Sequence, residues 1–325
     1  MSKKIAVLIG NNYTGTNYKL YGCQNDVIKY KTILMNNFGY KNEDIKILID
    51  LDGNEYPTKT NIIKYMDWIY QQTCIPNLIN EITFYYSGHG TNIHDTNFDE
   101  PDGMDECIVP IDFEKVGFIT DDYIYLNFLS KLKPVKKIIC VFDSCNSASC
   151  TDLPYSFTCI NNKLVKQFYS KRLPIKSNPN IFVLSGCLDS KVSFDSKEPD
   201  GTPCGLLSYW LRNVLIKYNY KCTIQNIIMD IKSGFGTNDQ TPVLSVNSND
   251  FIPKTVVFDN SPQKLSNPPK LTNPPKLTNP PKLSNPPKLS NPPKLKKTTK
   301  NNNKNKNNNK ISIFDKIEDI IKKIF

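Results

Sequence analysis

Short apolar runs of strand length recur along the first 260 residues, at 5–10, 44–49, 82–86, 137–142, 180–184 and 242–246. Several are apolar almost without interruption, as in Ile138-Ile139-Cys140-Val141-Phe142, which is how a strand reads when both of its faces are buried. Between them, residues 25–37, 60–72, 122–132 and 206–217 repeat their apolar positions every three to four residues, the pattern of a helix with one buried side. Strands alternating with helices predict an α/β fold, with a mainly parallel central sheet and helices on both faces.

The pattern stops after Asp259. Five consecutive copies of Lys-Leu-Ser/Thr-Asn-Pro-Pro fill residues 264–293, and a Lys/Asn-rich run continues to Lys310. Such a stretch cannot bury enough apolar surface to fold, so residues 260–310 are expected to be a disordered linker. Paired prolines favour an extended spacer, while a repeated six-residue unit also suits repeated docking by a partner. Residues 311–325 then place Ile313, Phe314, Ile317, Ile320, Ile321, Ile324 and Phe325 on one face. The expected amphipathic helix is short for independent stability, so it should dock on a membrane surface, on residues 1–259 or on another copy.

Charge sharpens this division. From residue 260 onward there are 15 lysines against Asp315, Glu318 and Asp319, so the chain's formal net charge of +10 belongs to the tail. Nucleic-acid binding, which a basic domain would suggest, is therefore not expected, because like-charge runs of this kind are usually solvated. Ten cysteines, two histidines, an opening Met1-Ser2-Lys3-Lys4 and no long apolar run predict a reduced, cytoplasmic, monomeric protein. Structural zinc is not expected, since Cys145 and Cys150 are five apart and no second Cys or Cys/His pair accompanies them.

Candidate chemistry falls at two strand ends. The third strand runs into Tyr86-Ser87-Gly88-His89-Gly90 and the fourth into Phe142-Asp143-Ser144-Cys145-Asn146-Ser147. The carboxyl ends of parallel strands form the crevice where α/β folds bind ligands, so His89 and Cys145 can converge there. A thiol beside an imidazole gains a base to form the thiolate and an acid for the leaving amine. The N–H groups of Gly90 and Cys145 are candidate donors to a tetrahedral oxyanion. Either residue alone reads more simply as core; together they specify nucleophilic catalysis. His94, in a polar stretch, lacks such a setting.

YYSGHG, DGMDE and DSCNS followed by DLPY, in this order, resemble the metacaspases of the caspase clan of cysteine peptidases. The resemblance extends from Gly22-Cys23-Gln24-Asn25-Asp26 to Gly205-Leu206-Leu207-Ser208-Tyr209. It implies a caspase-like sheet, a catalytic His89/Cys145 pair, protein substrates cleaved after Arg or Lys, and activation by Ca2+, with no organic cofactor. By motif position it assigns Cys23, Asp26, Ser87 and Asp143 to the pocket for the basic residue, and Asp105, Asp121, Asp122 and Asp152 to calcium. Two carboxylates in a cleft suit a cationic side chain and repel an acidic one. The simpler alternatives are a helix cap for Asp143 and a first-turn acid for Asp26.

The family usually has His-Ser-Gly after the nucleophile, where this chain has Asn146-Ser147-Ala148. Lys163, Lys166, Lys171, Arg172 and Lys176 lie where the family is often self-cleaved, so self-processing is expected without a preferred site. The rival reading is a non-catalytic caspase-like module that recruits partners through its repeats and terminal helix.

Overall fold

Successive residues of the first strand point to opposite sides, Ala6 and Leu8 into one apolar cluster and Ile5, Val7 and Ile9 into another, as a pleated strand between two covered faces requires. The computed structural model of the chain describes residues 3–96, 103–144, 151–168, 170, 172–186, 195–236 and 240–260. The repeats and the expected terminal amphipathic helix lie outside the described residues, and so does Cys145.

In chain order the strands of the first half are β1 (Lys3–Gly10), β2 (Ile45–Ile49), β3 (Ile79–Ser87), β4 (Gly90–His94), β5 (Met104–Ile108), β6 (Ile119–Thr120) and β7 (Lys137–Asp143). Those of the second are β8 (Tyr155–Ile160), β9 (Lys163–Phe168), β10 (Ile181–Ser185), β11 (Asp195–Lys197), β12 (Pro203–Gly205), β13 (Cys222–Thr223), β14 (Val243–Val246) and β15 (Val256–Phe258). The central sheet has the order β2-β1-β3-β7-β10-β14-β8-β9. Its first five strands are parallel, and β14, β8 and β9 continue it by antiparallel pairing. All six expected strands are therefore present in a mainly parallel sheet, to which the β8–β9 hairpin adds an antiparallel edge.

Helices α1 (Cys23–Phe38) and α2 (Lys59–Thr73) cover opposite faces of the sheet; α3 (Phe113–Val116) and α4 (Asp121–Tyr123) are single turns; α5 (Leu206–Lys217) and α6 (Ile224–Phe235) lie on the side of α1. The helix expected over 122–132 forms as α4, then a π-helical stretch Ile124–Phe128 and a 3-10 turn Leu129–Lys131. Widening and tightening of the coil let Ile124, Phe128 and Leu129 all reach the core on the side of α2. α1 stops at Gly39, which adopts φ +72° and returns its N–H to Leu34, a glycine C-cap. Among the described residues no helix is long and apolar enough to cross a membrane.

Candidate active site

β1, β3 and β7 end in register. Gly10 pairs with Ser87, and Ser87 with Asp143, so the residues that follow each strand emerge side by side at the carboxyl edge. Directly after β3 the backbone makes a tight turn in which Gly88 donates its N–H to Asp143 O at 3.2 Å. A side chain at position 88 would begin 2.6 Å from the Tyr86 hydroxyl, so only glycine fits this approach. The next residue is His89.

Two buried tyrosines hold His89 from behind. Its N–H donates to the Tyr13 hydroxyl at 3.1 Å, and its carbonyl accepts from the Tyr86 hydroxyl at 2.7 Å. Tyr13 in turn donates to Val109 O at 2.6 Å, and its ring lies 4.7 Å from the imidazole. The imidazole Nε2 sits 2.7 Å from the Tyr18 carbonyl. A carbonyl can only accept, so Nε2 carries the proton and Nδ1 is left as the acceptor. Burial pushes the His89 pKa down, opposed by the bond to Tyr18, which favours the neutral imidazole at neutral pH. A neutral ring of fixed tautomer is what a general base requires. Gly90 opens β4 and pairs with Ile108; His94 closes the same strand and is exposed.

Asp26, Ser87 and Asp143 come together beneath this edge, and Cys23 begins the helix that carries Asp26. Asp26 is fully buried: Oδ1 accepts from Arg212 Nη1 at 3.0 Å, and Oδ2 accepts from Gly205 N–H at 2.7 Å and from the Ser87 hydroxyl at 3.3 Å. Asp143 Oδ2 accepts from the N–H of Ser208 at 2.8 Å and from its hydroxyl at 2.5 Å. Asp143 is thus an acid at the N-terminus of α5, where helix N–H groups and the dipole favour an anion. A Cβ at Gly205 would lie 2.1 Å from Asp143 Oδ2 and 2.9 Å from Asp26 Oδ2, so the backbone there threads between the two carboxylates. Desolvation and then Asp143 push the Asp26 carboxyl up to about 8, against the pull of Arg212. Burial likewise raises Asp143, opposed first by Ser208.

Two of the four acids assigned to calcium, Asp122 and Asp152, meet a cation of the chain itself. Arg172 pairs with Asp122 through Nη2 and with Asp152 through Nε at 3.4 Å, and its guanidinium lies 5.2 Å from the centre of the Tyr125 ring. Asp121 accepts the N–H groups of Glu106 at 2.9 Å and Asp122 at 2.7 Å, and Asp105 is buried on β5. Among the described residues no three acidic, His or Cys side chains converge as a metal cage. Carboxylate oxygens are the hard donors that calcium takes, and two of the four already face a cation.

The sequence reading gave no site role to Arg212, to Gly205 and Ser208, or to the Tyr13 and Tyr18 supports of the histidine. A signal for the first was present. The chain contains only two arginines, Arg172 and Arg212, and each clamps a pair of carboxylates. Where lysine is the default cation, an arginine marks a place that needs a planar, always-charged fork.

Residues 3–154 match the family model "Metacaspase, peptidase C14 domain". Metacaspase-1A of Aspergillus terreus is 43% identical over 158 residues, covering 48% of this chain and 38% of that protein. Metacaspase-1 of Ajellomyces capsulatus is also 43% identical over 158 residues, covering 48% of this chain and 44% of the relative. The chain thus spans less than half the length of the curated relatives it matches. A crystal structure of a Geobacter sulfurreducens protein superposes with a TM-score of 0.52 at 22% identity, over 78% of this chain and 99% of that one, a likeness of fold. Residues 3–154, with their strand-end histidine and carboxylate pair, are thus similar to the metacaspase peptidase C14 domain.

Proposed function

We propose that the chain is a cysteine endopeptidase that cleaves after Arg or Lys. The observation that carries this reading is the held imidazole: Tyr18 O fixes the proton on Nε2, leaving Nδ1 as the base at the edge where the sequence puts Cys145 two residues past Asp143. In this reading Nδ1 takes the thiol proton and the Cys145 sulfur attacks the substrate carbonyl carbon. The tetrahedral oxyanion collapses to a thioester as the amine leaves with the proton from His89. Water then attacks the thioester, giving His89 its proton; the thiolate leaves and regains that proton, and the acid is released. Asp26 and Asp143 supply the negative field that favours a cationic side chain before the scissile bond.

Calcium is proposed as an activator held by Asp105, Asp121, Asp122 and Asp152. When bound it would supply a divalent charge that gathers these carboxylates, and Arg172 would have to release Asp122 and Asp152 for it.

The test is hydrolysis of matched fluorogenic peptides ending in Arg, Lys or Asp, with calcium or chelator, by the full chain and by Cys145→Ala. Calcium-stimulated cleavage after Arg or Lys, lost in the variant, is expected. Cleavage after Asp keeps the peptidase and overturns the pocket; absence of thiol-dependent cleavage overturns the enzyme in favour of a recruiting module.

A further inference from the structure

The two carboxylates of the proposed pocket do not stand alone. Arg212 reaches Asp26 from α5, nearly buried itself, while its other nitrogen pairs with Glu198 between β11 and β12. Glu198 is also held by Lys29 of α1 at 2.5 Å. Formal charges then balance in a particular way. With both pocket carboxylates ionised, Glu198 and Lys29 cancel, Arg212 offsets one of Asp26 and Asp143, and the cluster is left with one negative charge. Two neighbouring buried carboxylates resist ionising together, so a pocket lacking Arg212 would ionise Asp26 only at still higher pH.

We propose that Arg212 is a specificity-determining residue, a built-in guanidinium that stabilises the Asp26 carboxylate against protonation and matches the pocket to a single substrate cation. The assignment rests on the basic-pocket reading above. Arg212 acts through Asp26 and is a positioning residue. A lysine could not do this equally, since only the planar fork can engage Asp26 and Glu198 at once from one position. The charged and titratable groups around Asp26 are Asp143 on β7, Arg212 on α5, Tyr85 on β3 and Cys204 on β12, with Glu198 and Lys29 beyond Arg212.

The acid limb of kcat/KM reports groups of the free enzyme, which makes it the readout. With Asp26 held near 8, wild type should lose activity on Arg and Lys peptides as pH falls through that value. Arg212→Met removes the cation that lowers Asp26, so the limb should move to higher pH by about one pH unit, about tenfold in kcat/KM below it. The loss should lie mainly in KM. Glu198→Gln removes an acid near Asp26 and frees Arg212 to bind it alone, so its limb should move the other way; it also serves if Arg212→Met fails to fold. Arg212→Lys should return part of the shift. Opposite movements are something a merely structural role does not give. If wild type cleaves Arg and Lys peptides and neither Arg212→Met nor Glu198→Gln moves the limb, Arg212 has no such role and the pocket stands. If wild type cleaves no basic peptide, the pocket itself is overturned and this assignment with it.

Discussion

Both arginines of the chain clamp carboxylates, but in different surroundings. Arg212 and Asp26 have side chains 9% and 0% exposed, whereas Arg172 and Asp122 are 18% and 22% exposed, with Asp152 buried on the other side. Arg212 ties two helices and a hairpin over the ends of β3 and β7. Arg172 ties the connection between β9 and β10 to α4 and to the segment after β7. In the drier cluster each charge depends on its partner, because no water replaces a lost ion pair. In the wetter one solvent reaches the pair, and a small cation can compete for the same oxygens. Similar chemistry thus makes a dry, fixed cluster in one place and a solvent-reached one in the other.

The largest effect expected from this contrast is on stability. Removing one member of a buried pair costs about 3–5 kcal/mol, and for a domain of this size each kcal/mol shifts Tm by about 2–4 °C. Arg212→Met should therefore unfold at clearly lower urea concentration than wild type, and more so at pH 9 than at pH 5. The sign follows from Asp26, whose folded carboxyl is held near 8, above the usual value of about 3.9. The folded state binds the extra proton, so Asp26 lowers stability as pH rises from about 4 to 8. Without Arg212 the folded value rises further, and the penalty continues to grow above pH 8. At pH 5 Asp26 is protonated in both proteins and the difference shrinks. Equal loss at both pH values would mean that Arg212 merely fills space.

The sequence carried most of the sheet because its parallel strands are apolar on both faces, and that pattern survives without tertiary information. The β8–β9 hairpin was not read, although Asn161 and Asn162 supply its turn with φ of +48° and +57°, the left-handed pair of a tight hairpin. Helix α6 was missed too, despite Ile224, Ile227, Ile228, Ile231 and Phe235 falling on one side. His89 stood out from its local motif, and the family resemblance singled out Asp26, Ser87 and Asp143, which the fold brings to neighbouring positions. Their partners were not legible, because Arg212 lies 186 residues from Asp26 and the Tyr18 carbonyl 71 from His89. Backbone acceptors carry no sequence signature, and long-range pairing is a property of the folded chain.

A smaller effect should appear at the other arginine. If calcium and the Arg172 guanidinium compete for Asp122 and Asp152, Arg172→Gln should bind calcium several-fold more tightly, read by calorimetry on the Cys145→Ala background so that no cleavage intervenes. Its unfolding midpoint in chelator should fall less than that of Arg212→Met, since water already reaches Asp122. Weaker calcium binding in Arg172→Gln would mean that the arginine organises the acids for the metal, and the two clusters would then be alike in kind.

The smallest effect tests how far the pocket's charge extends. Lys29 and Glu198 are 33% and 16% exposed, and pairs of this type contribute about 0.2–1 kcal/mol, less in salt. Lys29→Gln should leave the urea midpoint nearly unchanged. It should still move the acid limb of kcat/KM slightly upward, because Glu198 would then draw Arg212 away from Asp26. Added salt should abolish most of that movement in Lys29→Gln and little of it in Arg212→Met, where the affected carboxylate is beyond the reach of mobile ions. Movements of equal size in the two variants would show that the pocket responds to the general field of the surface, and the buried contact between Arg212 and Asp26 would lose its special standing.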